Sequence, residues 1–191
     1  MTTVSIIGNG NMGQAIGAVL ADGGTSVQYV GREAGPIEGD IVVLAVPYPE
    51  VAAIIATHGA ALAGKAVVDI TNPLDFSTFD SLVVPADSSA AAEIAAALPD
   101  SKVLKAFNTN FAGTLAAKTV GGVPTTVLVA GDDADAKQAL AGVLEAGGLT
   151  VIDAGALSRA RELESIGFLQ LTLAVSERIG WTEGFAVAKA A

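Results

Sequence analysis

The chain has 191 residues, 51% apolar and 16% charged, which is enough for one globular domain with a sizeable core and excludes a disordered segment. Its 20 acidic against 10 basic residues, net −10, argue against nucleic acid and anionic membranes as partners. No cysteine and a single histidine exclude disulfides, a thiolate nucleophile and cysteine or multi-histidine metal sites.

The first strand is expected over residues 2–8 and the first helix over 11–23, with Met12, Ala15, Ile16, Val19 and Leu20 on one face. No leader precedes the strand, and no apolar run approaches the roughly 20 residues of a membrane helix, so a cytoplasmic protein is expected. Between strand and helix stands Gly8-Asn9-Gly10-Asn11-Met12-Gly13, a G-x-G-x-x-G turn. Gly8 permits a sharp turn off the strand, Gly10 lets a pyrophosphate approach the backbone, and Gly13 lets the helix lie close to the strand. The helix N-terminus then offers N–H groups and partial positive charge to phosphates. These features predict dinucleotide binding.

The second strand, 26–30, ends in Val30-Gly31-Arg32, where NAD enzymes usually carry a carboxylate for the ribose. An arginine there can pair with a 2′-phosphate, so NADP is expected; if Glu33 rather than Arg32 faces the ribose, the preference reverses. Residues 34–39 are too few for a crossover helix. The apolar run 40–46 reads as a parallel strand buried on both faces, ending at Pro47-Tyr48-Pro49 beside the ligand crevice, so Tyr48 is expected near the cofactor. His58, just before Gly59, reads as a solvated helix-end residue. The next strand, 67–70, runs into Thr71-Asn72-Pro73-Leu74; the irregular stretch 75–87 is a candidate cover for the site. Ser88-Ser89 should cap an alanine-rich helix running to Leu98.

The fifth strand, 102–107, ends in Asn108-Thr109-Asn110-Phe111, whose amides and hydroxyl suit hydrogen bonding to a planar polar ring. Lys105, by strand alternation, should point away from its neighbours' face. A sixth strand over 125–131, expected parallel to the rest, a helix capped by Asp132-Asp133, and a seventh strand over 149–153 follow. From about Ala156 a long amphipathic helix carries Leu157, Leu163, Ile166, Leu169, Leu173 and Ile179 on one stripe. That stripe requires a cover, either the domain or a second copy in a homodimer, and the sequence leaves both open. The expected architecture is α/β: a doubly wound parallel Rossmann-type sheet over residues 1–155, with a C-terminal helical extension over 156–191.

The separated motifs Gly8–Gly13, Gly31-Arg32, Val46-Pro47-Tyr48, Asn72-Pro73-Leu74, Ala106-Phe107-Asn108-Thr109 and Asp153–Ser158 resemble those of the coenzyme F420-dependent NADP oxidoreductases and their small bacterial relatives. A similar module forms the cytosolic domain of membrane metalloreductases of the six-transmembrane epithelial antigen type. The likeness covers nearly the whole chain, and Arg161, Glu164 and Ser165 also follow it. It implies NADP held by Gly8, Asn9, Gly10, Asn11, Met12, Gly13, Gly31, Arg32, Ala45, Val46, Pro47, Tyr48, Thr71, Asn72 and Pro73. Asn108, Thr109 and Phe111 would meet the second substrate. Tyr48 stands where archaeal members typically have tryptophan, Asn108 where they have histidine, and Gly31 replaces a serine that helps bind the 2′-phosphate. The implied reaction is hydride transfer between NADP(H) and coenzyme F420 or a flavin-like ring, a small-molecule redox partner. Two two-electron carriers require no side-chain acid, base or nucleophile, so no catalytic residue is expected. From the residues alone, a reductase of another small molecule and a non-catalytic NADP sensor stay open.

Overall fold

A computed structural model describes residues 2–31, 33 and 35–188. The elements are β1 Thr3–Ile7, α1 Asn11–Asp22, β2 Ser26–Val30, β3 Ile41–Leu44, α2 Val51–Leu62, β4 Ala66–Asp69, α3 Ala90–Ala97, β5 Lys102–Lys105, α4 Ala112–Ala117, β6 Thr119–Val120, β7 Val123–Pro124, β8 Thr126–Gly131, α5 Ala134–Ala146, β9 Thr150–Gly155 and α6 Ala160–Val175. The main sheet has the order β2-β1-β3-β4-β5-β8-β9, and β6 and β7 form a separate small hairpin.

Strands β1 to β5 pair in parallel, β1 between β2 and β3. Alternation along them sends Val4, Ile6, Ile41 and Val43 to one face, and Ile7, Val42, Leu44 and Val67 to the other. The first face is covered by Ile16, Val19 and Leu20 of α1, Leu115 of α4, and Leu140 and Leu144 of α5. The second is covered by Val51, Ile54 and Leu62 of α2 and Ile94 of α3. The full burial of β3 and β4 explains why they read as unbroken apolar runs. As the loop length indicated, no helix joins β2 to β3 among the described residues.

The sixth main-sheet strand corrects the all-parallel expectation. β8 runs antiparallel to β5, with Leu104 opposite Gly131 and Lys105 opposite Ala130. Between them the chain forms only α4 and the β6–β7 hairpin, which reverses it without a full crossover to the far end of the sheet. β9 then returns parallel to β8. The sheet is therefore mixed and mostly parallel, with β1 inside it.

Two caps match their sequence signals. Ser89 Oγ accepts from the Ala92 N–H (3.0 Å) at α3, and Asp133 Oδ1 from the Ala136 N–H (2.8 Å) at α5. His58 is a correction: it lies on the inner face of α2 and is 2% exposed, because α2 runs four residues past it. The stripe expected on the tail helix is a second correction. α6 buries Ala160, Leu163, Glu164, Gly167, Gln170 and Ala174, and leaves Ile166 and Leu169 facing outward. The helix docks on the ends of strands, which supply polar partners for Glu164 and Gln170 as well as apolar contacts. No helix among the described residues is long and apolar enough to cross a membrane.

Candidate functional site

The glycine turn is built as its spacing requires. Gly8 has φ 111°, and a Cβ there would lie 2.2 Å from the Ala45 carbonyl oxygen. A Cβ on Gly13 would lie 2.6 Å from the Gly8 carbonyl oxygen, so this glycine lets α1 press onto the turn. Gly10, the N-cap of α1, has φ −80°, and a Cβ on it would meet nothing within 4 Å. No side chain caps the helix start, and its first turn holds no acidic residue. Among the described residues the N-cap gives the helix no side-chain cap and there is open space at Gly10, the geometry of an anion site.

Two hollows flank this N-terminus. One, about 430 Å³, is lined by Ile7, Gly8, Asn9, Gly10, Val30, Gly31, Ala45, Val46, Pro47 and Glu50. The other, about 450 Å³, is a cleft lined by Asn11, Met12, Ile70, Asn72, Phe107, Asn108, Asn110, Phe111, Ala112, Gly113, Leu171, Trp181 and Thr182. Together they bring the glycine turn, the ends of β2 to β5 and the C-terminal segment to one edge of the sheet. Such an edge, outside the C-terminal ends of parallel strands, is where this architecture places ligands.

The sequence-predicted residues divide among these places. Gly8, Asn9, Gly10, Gly31, Ala45, Val46 and Pro47 line the first hollow; Asn11, Met12, Asn72, Asn108 and Phe111 line the cleft. Gly13 packs behind the turn. Arg32 lies outside the described residues. Tyr48 turns aside: its hydroxyl donates to Glu93 Oε2, and its ring lines a third hollow with α2 and α3 residues. Burial and then the Glu93 carboxylate push that hydroxyl above its ordinary pKa. Thr71 and Thr109 are buried and line neither hollow; the stretch 75–87, expected to cover the site, contributes no wall to the cleft.

Asn72 and Asn108 are joined to each other. Asn72 Nδ2 donates to the Asn108 carbonyl (2.8 Å), and Asn108 Nδ2 donates to Asn72 Oδ1 (3.0 Å) and the Leu163 carbonyl (2.7 Å). The amide donors expected to serve a ligand ring instead clamp the ends of β4 and β5 to α6. Gly167 makes room for this clamp, since a Cβ there would lie 2.3 Å from Asn72 Oδ1. Just before Asn108, the buried Phe107 adopts φ 62°. A left-handed conformation is costly for a bulky residue and marks a forced turn at the strand end.

Behind the cleft lies a buried charge cluster. Lys105 is fully buried, and its Nζ contacts Asp69 Oδ2 (2.7 Å), Glu164 Oε1 (2.8 Å) and the Thr71 carbonyl (2.6 Å). Asp69 and Lys105 are register partners on adjacent strands, so alternation turns both toward the α3 side, away from the cleft as expected. Glu164 accepts from the Ala90 and Ala91 N–H groups at the start of α3 (2.9 and 3.3 Å). Burial raises the Glu164 pKa, against the pull of Lys105 and the Ala90 N–H. The cluster thus ties β4, β5, α3 and α6 together. Sequence spacing gave no sign that Asp69 and Glu164, so far apart in the chain, share one lysine.

A second missed group is the C-terminal segment. Trp181 packs against Phe111 with ring centroids 5.0 Å apart and ring planes tilted by 58°, and its backbone lies against Gly113. Gln170 holds this segment down: its Nε2 donates to the Thr109 carbonyl (3.1 Å) and its Oε1 accepts from the Phe185 N–H (3.0 Å). The available clue was compositional, a sole tryptophan in a chain with 5% aromatics.

No family model matches the chain. It is 33% identical over 133 residues to an F420-dependent NADP reductase of Methanocaldococcus jannaschii, covering 68% of this chain and 59% of the relative. It is 32% identical over 148 residues to an F420-dependent NADP reductase of Methanothermobacter marburgensis, covering 74% of this chain and 66% of that one. The chain therefore spans about three fifths to two thirds of the length of these relatives. A solved structure, that of a candidate F420-dependent NADP reductase from Arthrobacter sp. FB24, superposes with a TM-score of 0.83 at 27% identity, covering 97% of this chain and 99% of that one. With the glycine turn, the mostly parallel sheet and the long C-terminal helix in place, the chain belongs to the family of F420-dependent NADP reductase-like Rossmann proteins.

Proposed function

We propose that the protein is an NADP(H)-dependent oxidoreductase that moves a hydride between NADP(H) and a small-molecule redox partner, coenzyme F420 or a flavin-like ring. The observation that carries this is the pair of hollows meeting at the uncapped N-terminus of α1. The residues fit a dinucleotide. Gly10 leaves open space at the helix start, where phosphates would meet the first N–H groups, and the Gly31 side leads toward the second strand's end for the adenosine half.

The nicotinamide half would enter the cleft over Asn11 and Met12, beside the clamped Asn72–Asn108 pair. Bound NADPH supplies the hydride; the protein orients two rings and excludes water. Apolar walls from Met12, Ile70, Phe107, Phe111 and Leu171 suit that task, and the Asn72–Asn108 clamp holds the strand ends at fixed separation. Residues 1–155 are read as the NADP-binding unit and 156–191 as an extension that closes it, supported by the seating of α6 on the strand ends.

The test is turnover. Protein mixed anaerobically with NADPH and either F420 or FMN is expected to convert reduced nicotinamide and acceptor one for one, read by absorbance. No turnover with either acceptor overturns the reading. A parallel titration of NADPH and NADH on wild type and Arg32→Ala tests the cofactor preference. A charge-assisted contact to the 2′-phosphate is worth about 1.5–3 kcal/mol, or about ten- to a hundredfold in affinity. Equal affinities in the wild type would remove the preference for NADP.

A further inference from the structure

The cleft has a wall that no motif supplies. Trp181 is 54% exposed, yet it is not on a free end. Its ring rests on Phe111, which is 6% exposed, and its backbone carbonyl lies where a Cβ on Gly113 would be 2.7 Å away. A larger residue at 113 would push the segment off the start of α4. On the other side, Gln170, 2% exposed, bridges the Thr109 carbonyl and the Phe185 N–H. A local turn adds to this: the Gly180 N–H donates to Glu183 Oε2 (2.7 Å), and the Glu183 N–H to the Gly180 carbonyl (3.0 Å). The segment is therefore fixed from both ends, with a large, half-open indole presented at the cleft.

An exposed indole has an apolar cost that a planar ligand would remove. The cleft volume, about 450 Å³, falls within the range of small-molecule sites, about 300–1,000 Å³. Its described lining residues are all uncharged, and Met12, Ile70, Phe107, Phe111, Ala112 and Leu171 supply six apolar side chains, with Trp181 a seventh. Aromatic pairs favour offset or edge-to-face arrangements with ring centroids about 4.5–7 Å apart, so the indole, with one side against Phe111, offers its exposed side to a flat ring.

We infer that Trp181 is the outer stacking wall for the acceptor's fused-ring heterocycle, and that the 180–185 segment is held at the cleft to present it. This rests on the cleft being the acceptor side of the NADP(H) reaction. It makes Trp181 a determinant of acceptor binding and leaves NADP(H) affinity to the glycine turn. The fused tricyclic ring is common to flavins and the deazaflavin F420, so either source satisfies the wall.

Trp181 is the only tryptophan in the chain, so its fluorescence reports on this wall alone. The protein, first loaded with NADP⁺, is titrated with FMN and, in a separate arm, with F420. Free N-acetyltryptophanamide provides the correction for absorption and collisional quenching. Saturable quenching beyond that control is expected with at least one ring, and the arm that shows it identifies the source. Steady-state kinetics give the second readout. Trp181→Ala is expected to raise the acceptor KM about tenfold or more, the size of one lost aromatic stacking face, with the NADPH Kd within about twofold of wild type. Trp181→Phe should recover most of the loss.

No excess quenching with either ring overturns the inference, as does an unchanged acceptor KM in Trp181→Ala. The two readings fail separately. Quenching without turnover, together with FMN or F420 binding weakened about tenfold in Trp181→Ala by equilibrium dialysis, removes the reductase reading and keeps the stacking wall; quenching with unweakened binding in that variant removes both. Turnover with normal acceptor KM in Trp181→Ala does the reverse.

Discussion

Two glycines two positions apart make opposite predictions. Gly8 sits at φ 111° with the Ala45 carbonyl oxygen where its Cβ would be, so its lack of a side chain is required for folding. Gly8→Ala is expected to cost about 1–3 kcal/mol in backbone strain alone, before the backbone clash, lowering the melting temperature by at least several degrees. Gly10 has an ordinary φ of −80° and open space beyond it. Gly10→Val should lower the melting temperature of the free protein by only about 2–4 °C, the effect of a poorer N-cap worth about 1 kcal/mol, while weakening NADPH tenfold or more. Thermal unfolding and NADPH titration of both variants check this. A Gly10→Val protein that binds NADPH normally would remove the phosphates from the α1 N-terminus.

At the scale of elements, α6 is the piece that joins the others. Through Glu164 it caps the start of α3 and meets Lys105, and through the Leu163 carbonyl it receives Asn108. Removing one partner of such a buried ionic cluster typically costs about 3–5 kcal/mol, but Glu164→Gln keeps the shape and tests the charge. Burial raises the Glu164 pKa in the folded chain, so the folded state holds this proton to higher pH than the unfolded one. As pH rises from about 4.5, the ordinary value, through the raised one, this group's contribution to stability falls, and above that it is constant. Wild type should therefore lose stability relative to Glu164→Gln across that window. The lowered groups Asp75, Asp133 and Asp153 are present in both proteins and cancel in the comparison. Melting temperatures of the two proteins measured from pH 4 to 8 provide the check; parallel curves would show that burial does not dominate at Glu164.

For the whole molecule, ligand binding to an edge assembled from β2 to β5, α1 and the C-terminal segment should stabilise all of them together. NADPH at about a hundred times its Kd is expected to add about 2.7 kcal/mol, which for a chain of this size raises the melting temperature by about 5–11 °C. NADH at the same concentration should raise it less. Equal shifts would contradict the NADP preference, and no shift with either would contradict dinucleotide binding. The net charge of −10 does not oppose this, because the α1 N-terminus to which the phosphates are assigned has no acid in its first turn, the described lining of the cleft is uncharged, and the lining of the neighbouring hollow carries a single carboxylate, Glu50, among its described residues.

Local patterns in the sequence determined the α/β class, the glycine turn with the turning role of Gly8 and the packing role of Gly13, the lack of a helix among the described residues between β2 and β3, and the caps at Ser89 and Asp133. Each depends on residues within one or two turns of each other, where backbone sterics and periodicity act directly. The direction of β8 was not legible, since a buried apolar strand reads the same in either sense and only the short α4 and hairpin decide it. The inner face of α6 was misread because its partners are polar: Glu164 and Gln170 are buried only because Lys105, the start of α3 and the Thr109 carbonyl await them. Asn72 and Asn108 were correctly brought to one edge, but whether their amides meet a ligand or each other depends on a strand-to-strand distance that no local spacing contains. The same holds for Trp181, which reaches the cleft because Gly113 and Gln170, from two different helices, leave and fill the space its segment needs.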